Sequence, residues 1–140
     1  MDWKTLALLS AFFAGLTAIL AKIGVKDVAP NLATLIRTFV IVPFLILIVF
    51  LKKDWPPASI PIRGWVFLLL SGLTTGFSWL FYFNALQKGP ASLVSSIDKL
   101  SLAIAVFLSF IFLGEHLTPW QWVGVAMMIG GVYLIGMRAS

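Results

Sequence analysis

The 140-residue chain has no cysteine and a single histidine, His116. Disulfides and thiolate metal centres are therefore excluded, and one imidazole without companions does not build a zinc site. Charge is scarce. Five acids and ten bases make up 11% of the residues, against about a quarter in an average soluble domain. The bases stand singly or in one pair, Lys52-Lys53, so the pI near 9.9 reflects no basic patch of the kind that binds nucleic acid. No Gly-rich phosphate loop, metal cluster or catalytic triad is visible, and Glu115-His116 has neither a nucleophile nor a second carboxylate beside it. The chain is not read as an enzyme, and no catalytic residue, metal ligand or cofactor is assigned. An internal repeat is missing as well.

Apolar side chain is what the sequence has in abundance. Hydrophobic residues make up 61% of it and the mean hydropathy is +1.05. A soluble globule of this size has too little interior to hide that much apolar surface, so lipid is the expected solvent. Five apolar runs separate cleanly, at about 5–22, 31–51, 64–87, 91–113 and 120–137. Each approaches the ~20 residues that a helix needs to cross a hydrocarbon core of ~30 Å. They are continuously apolar rather than alternating, which argues against membrane strands. Between them lie Ala29-Pro30-Asn31, the KKDWPP stretch, Lys88-Gly89-Pro90 and Gly114-Glu115-His116. Thr118-Pro119-Trp120-Gln121 has an N-cap Thr, a Pro at the first helical position and a Gln at the third, which predicts a helix start. Trp3, Trp55, Trp65, Trp120 and Trp122 fall near span ends, as interfacial aromatics do. The first run is too long for a signal-peptide core and lacks a small-residue cleavage motif, so it is expected to stay in the membrane. The fold class is all-α: one transmembrane domain over 1–140, a multi-pass protein of the cell (plasma or inner) membrane.

Five spans place the termini on opposite faces. The N-terminal face, face A, receives Lys4, Lys52, Lys53 and Arg63; face B receives Lys22, Lys26, Lys88 and Arg138. Lys/Arg bias in short loops sets orientation, and here it is four against four. Either a small bias is hidden at a span boundary, or the chain inserts both ways and oppositely inserted copies pair. Gly72-x-x-x-Gly76 and Ala11-x-x-x-Gly15 offer small-residue faces, with Gly124, Gly130, Gly131 and Gly136 in the last span. Such faces suit close packing within one chain or in a homodimer.

The stretch FNALQKGPASLVSSIDKLSLAIAVFLSFIFLGEHLTPWQWVGVAMMIGGVYLIG resembles the EamA domain of the drug/metabolite transporter superfamily. The likeness rests on NALQKGPAS, on FLGE, on the following QWVG and on the GG of the last span. AKIGVKDVAPNLATLIRT is similar to short members that hold one such domain. The resemblance implies a five-helix half-transporter, in a superfamily whose larger members carry two inverted halves, and it implies an anchoring role for Glu115 in its turn.

Ionisable groups within spans are functional candidates because each is costly at mid-bilayer. Here they are Arg37, Asp98 and Lys99, with Lys22 at a helix end. At about 1.5 Å per residue, Arg37 lies roughly 9 Å, and Asp98 and Lys99 roughly 10–12 Å, inside face B. Asp98 and Arg37 at similar depth predict a pair across two helices. Neighbours on a helix point about 100° apart, so Asp98 and Lys99 are not expected to satisfy each other. Trp79, Tyr82 and Asn84 of the third span descend through the same half of the membrane. Three readings stay open: a structural Arg37–Asp98 pair, a substrate or ion site using these groups, and a capping box at Ser95–Asp98 that starts the fourth helix late. Two or three bases against one acid favour an anionic or zwitterionic substrate. Asp98, the one carboxylate within a span, is the candidate for proton coupling. The expected function is alternating-access transport of a small polar metabolite by a homodimer, with Arg37, Asp98, Lys99, Asn84, Tyr82 and Trp79 as substrate-binding residues. A lipid or lipid-linked phosphate flippase, or a non-transporting subunit with a distinct partner, are the alternatives.

Overall fold

A computed structural model describes residues 2–54 and 60–137. Trp55, the two prolines of KKDWPP and Arg138, read above as an interfacial aromatic, a turn and a face-B base, lie outside the described residues. Those residues form helices and turns with no strand among them. Five stretches are long and apolar enough to span a membrane: Trp3–Gly24, Pro30–Lys52, Ile62–Lys88, Ala91–Leu113 and Pro119–Met137. Each differs from its sequence expectation by two residues or fewer at either end. The chain divides into two compact units, Met1–Lys88 and Gly89–Ser140.

The first unit holds α1 (Trp3–Gly24), α2 (Pro30–Lys52) and α3 (Ile62–Lys88). α3 packs most extensively on α2 and also on α1, whereas α1 and α2 form no closely packed pair. The short connection after α1 starts with Val25, whose amide donates to the Ala21 carbonyl at 2.9 Å. α2 starts on Pro30, where the missing N–H is no loss. It ends at Lys53 in the left-handed conformation (φ 56°), with Lys53 and Asp54 amides closing on Phe50 and Val49 carbonyls. Glycine usually takes that position, since a Cβ there costs about 1–2 kcal/mol. The buried side chains Ala18, Val25, Thr34, Phe83 and Leu86 all lie toward the face-B ends of these helices. Most large apolar side chains of all three helices point outward, as lipid-facing surfaces do.

In the second unit the fourth span is not one helix. α4 (Ala91–Asp98) and α5 (Leu100–Leu108) meet at Lys99, and a π-helical turn, Ser109–Leu113, follows. Around Lys99 the backbone tightens: its amide donates to Ser96 at 3.1 Å and its carbonyl accepts from Leu102 at 3.0 Å, both three-residue bonds. The capping-box reading of Ser95–Asp98 is overturned, because the helix already begins at Ala91 and Ser95 lies within it. Gly114 takes φ 67°, a left-handed conformation that glycine enters without a Cβ clash, and the Glu115 amide closes the turn on the Ser109 carbonyl at 3.4 Å. This is the backbone reason for the FLGE turn. His116 and Trp122 both stand edge-on to Phe110, with centroids 6.1 Å away. α6 (Pro119–Met137) starts as predicted: the Thr118 amide donates to Gln121 Oε1 at 2.7 Å. Both α4 and α5 pack on α6.

Candidate functional site

Arg37 sits seven residues into α2, roughly 10 Å from its start, and is half-buried. Its guanidinium carbon lies 4.4 Å from the centroid of the Trp79 ring and 5.7 Å from that of Phe83. Trp79 and Phe83 are one turn apart on α3, so their rings share a face of that helix. A cation over such rings is held electrostatically by their negative faces, an effect that strengthens away from water. The ring contacts leave the guanidinium edge uncommitted. Among the described residues Arg37 makes no hydrogen bond and no ion pair.

The register of the α2–α3 pair is fixed nearer face B. Asn84 Nδ2 donates to Asn31 Oδ1 at 3.4 Å and to the Leu80 carbonyl, one turn back, at 2.7 Å. In antiparallel helices, six residues forward from Asn31 and five back from Asn84 bring Arg37 opposite Trp79. Tyr82 stands edge-on to Phe83 at 6.2 Å and so backs the ring that Arg37 covers. Thr34 and Thr38 donate to carbonyls one turn earlier, on Pro30 and Thr34, which satisfies both hydroxyls locally.

Lys22 has a structural task. Its ammonium donates to the carbonyl of Leu86, in the last turn of α3, where helix carbonyls lack internal partners. The cation also offsets the negative end of the helix dipole. Gln87 adds a bond from its side-chain amide to the Val28 carbonyl at 3.3 Å. Together these two contacts tie the face-B ends of the first unit.

Asp98 and Lys99 belong to the second unit, and there the expectation fails. Lys99 Nζ lies 3.7 Å from Asp98 Oδ2, so the two neighbours do pair. An offset of about 100° at the backbone does not prevent this contact, because a four-carbon lysine stem is long enough to reach a neighbouring carboxylate. The separation exceeds the ~2.7–2.9 Å of a charge-assisted hydrogen bond. Both side chains remain open, at 37% and 49% of their full exposure. Lys99 is therefore not the unmatched charge that depth counting predicted.

A groove of about 380 Å³ runs between α1 and α2, with Arg37 at its inner end and Phe83 of α3 on its floor. Leu20 and Ala21 form the α1 wall; Ala33 and Ile36 form the α2 wall. Two parts of this site escaped the sequence reading. Phe83 was detectable from its spacing to Trp79. Asn31 was detectable as the one amide near the start of the second span, level with Asn84.

Five apolar spans, helices whose apolar side chains face outward and an arginine held below the interface on aromatic faces define a multi-pass membrane protein. The particular family follows from comparison. The EamA-like transporter family matches residues 2–137, and the chain belongs to it. A protein of a Sinorhizobium species, named an uncharacterized transporter in the cobO 3' region, is 47% identical over 137 residues, 97% of both chains. The Bacillus subtilis uncharacterized transporter YxxF is 26% identical across 94% of this chain but only 42% of its own length. A Pseudomonas fluorescens protein, named a probable 4-amino-4-deoxy-L-arabinose-phosphoundecaprenol flippase subunit ArnE, is 34% identical over 54% of this chain and 65% of its own. No solved structure matches the chain.

Proposed function

We propose that this chain transports a small polar metabolite bearing an anionic group, acting by alternating access as a homodimer of oppositely oriented copies. The observation that carries the reading is Arg37: a guanidinium within a span, fixed on Trp79 and Phe83, with its donors unclaimed among the described residues. Five N–H donors in a planar fork match a carboxylate or phosphate bidentately. Asn84 and Tyr82 hold the register and the ring wall of the same helix pair. Asp98 and Lys99, in a pair that lacks hydrogen bonds among the described residues, are the groups we assign to charge balance and coupling.

Homodimerisation is supported by the even loop charge. The chain covers 97% of the Sinorhizobium relative but only 42% of the Bacillus relative, which leaves room there for a second such domain. One family match running through both compact units supports treating 1–140 as a single transmembrane domain. Transport rather than catalysis is the role we assign, in keeping with the family.

The name of the Pseudomonas relative favours a second reading, in which the ligand is a lipid-linked phosphate and the chain is one subunit of a flippase. A thermal-stability screen of the purified protein against metabolites and lipids tests both. Soluble anions that stabilise wild type and not Arg37→Lys support the first; stabilisation by lipid phosphates alone replaces it with the second.

A further inference from the structure

We infer that the α1–α2 groove takes a monocarboxylate with an apolar body, bound carboxylate-first between Arg37 and Thr17. The inference rests on reading Arg37 as the anion site and narrows its ligand. α1 and α2 are antiparallel neighbours joined by residues 25–29. Thr17 lies seven residues before the end of α1 and Arg37 seven after the start of α2, so both sit roughly 10 Å below face B. Both line the groove.

Thr17 differs from the threonines of α2 and α3. Thr34, Thr38, Thr74 and Thr75 each donate to a carbonyl one turn back, the usual local solution for a helical hydroxyl. Among the described residues Thr17 makes no hydrogen bond, although it is half-buried. Among the described lining residues, Thr17 and Arg37 are the two with polar side chains. Gly24 and Val28 line the groove toward face B, and the rest of the lining is apolar.

That order of polarity identifies the ligand class. A phospholipid carries its charge at the interface and its chains at depth; here the cation is deep and the apolar wall lies above it. A lipid phosphate would have to be drawn roughly 10 Å below the headgroup level to reach Arg37. A water-soluble acid that enters from face B, carboxylate leading, meets both requirements. A single cation neutralises one negative charge, so a doubly charged phosphate ester would keep an uncompensated charge in low dielectric. Among the described residues no acid lines the groove, so the ammonium of a zwitterion finds no partner among them. The volume of about 380 Å³ is at the small end of ligand pockets, which run from about 300 to 1,000 Å³.

The test is equilibrium binding to the full chain in nanodiscs of zwitterionic lipid, with empty nanodiscs subtracted, using acetate, butyrate, hexanoate and hexylamine. Affinity is expected to rise about fourfold per methylene of the acid, with no saturable binding of the amine. Thr17→Val should weaken every acid, and Ala33→Leu should remove the chain-length gain. Chain-length-independent affinity with Arg37→Lys still defective overturns the groove assignment and leaves the anion site standing. If Arg37→Lys binds every acid as wild type does, the anion site itself is lost. Displacement of hexanoate by phosphatidylglycerol, together with an unaffected Ala33→Leu, overturns the inference in favour of a lipid occupant.

Discussion

The guanidinium carbon of Arg37 rests 4.4 Å from the centroid of the Trp79 ring, on the neighbouring helix of the same unit. An arginine within a span is expensive, and an acidic partner is the usual expectation. An aromatic face is a different solution. It steadies the cation through the ring quadrupole without accepting any of its N–H groups, so the charge is placed and its hydrogen-bonding capacity is left uncommitted. Trp79 therefore serves as a platform more than as a wall.

Removing that platform should loosen the site without unfolding the protein. Trp79→Leu keeps apolar volume for the lipid phase but loses the quadrupole, worth about 0.5–2 kcal/mol. Anion affinity should fall by roughly two- to thirtyfold, with the melting temperature in detergent little changed. Trp79→Phe should fall between the two. An affinity unchanged in Trp79→Leu would show that Arg37 is not held by this ring when it binds.

Lys22 should matter to stability more than to binding. Lys22→Met leaves the Leu86 carbonyl without its charged donor at a fully buried position. A lost hydrogen bond to a charged group costs about 1.5–3 kcal/mol. Thermal unfolding in detergent should register that loss, and Lys22→Arg should recover part of it. Equal stability of Lys22→Met and wild type would remove the cap from the account.

How much was legible in the sequence depends on whether the physics is local. Span positions follow from runs of apolar residues and from turn chemistry at their ends, so Thr118–Gln121 located the start of α6 correctly. Depth is a count along one helix, and it put Arg37 and Trp79 in the same half of the membrane. Facing is not local. That Arg37 meets Trp79 and Phe83 depends on the register set by Asn31 and Asn84, two residues 53 positions apart. The Asp98–Lys99 error has another origin: an ideal 100° wheel ignores both the reach of a lysine stem and the tightened turn that breaks the fourth span.

That local pair makes a prediction of its own. Asp98→Asn leaves Lys99 uncompensated, Lys99→Gln leaves Asp98 uncompensated, and the double variant leaves neither. The double variant should lose less stability than the two singles together, with a coupling of about 0.5–3 kcal/mol in a double-mutant cycle. If Asp98 also carries a proton, Asp98→Asn should abolish the response of uptake to a pH gradient in liposomes. Strict additivity would mean that the 3.7 Å contact has no energetic weight in the membrane.

Antiparallel pairing predicts that the protein inserts both ways. With four bases on each face, tags at the two termini should be accessible from both sides of intact cells in comparable amounts. The balance is easy to tip. Asp27→Lys with Ala29→Lys raises the face-B tally from four to six, and Asp2→Lys with Asp54→Lys does the same for face A. Neither pair touches Arg37 or the rings beneath it, and Asp2 and Ala29 make no side-chain cap bond. Each variant alone should insert in one orientation and lose transport, because the oppositely inserted partner is missing. Co-expression of the two should restore it. A variant locked in one orientation that transports alone as well as wild type would show that the working unit is not the antiparallel dimer, and the even charge count would then have no functional meaning.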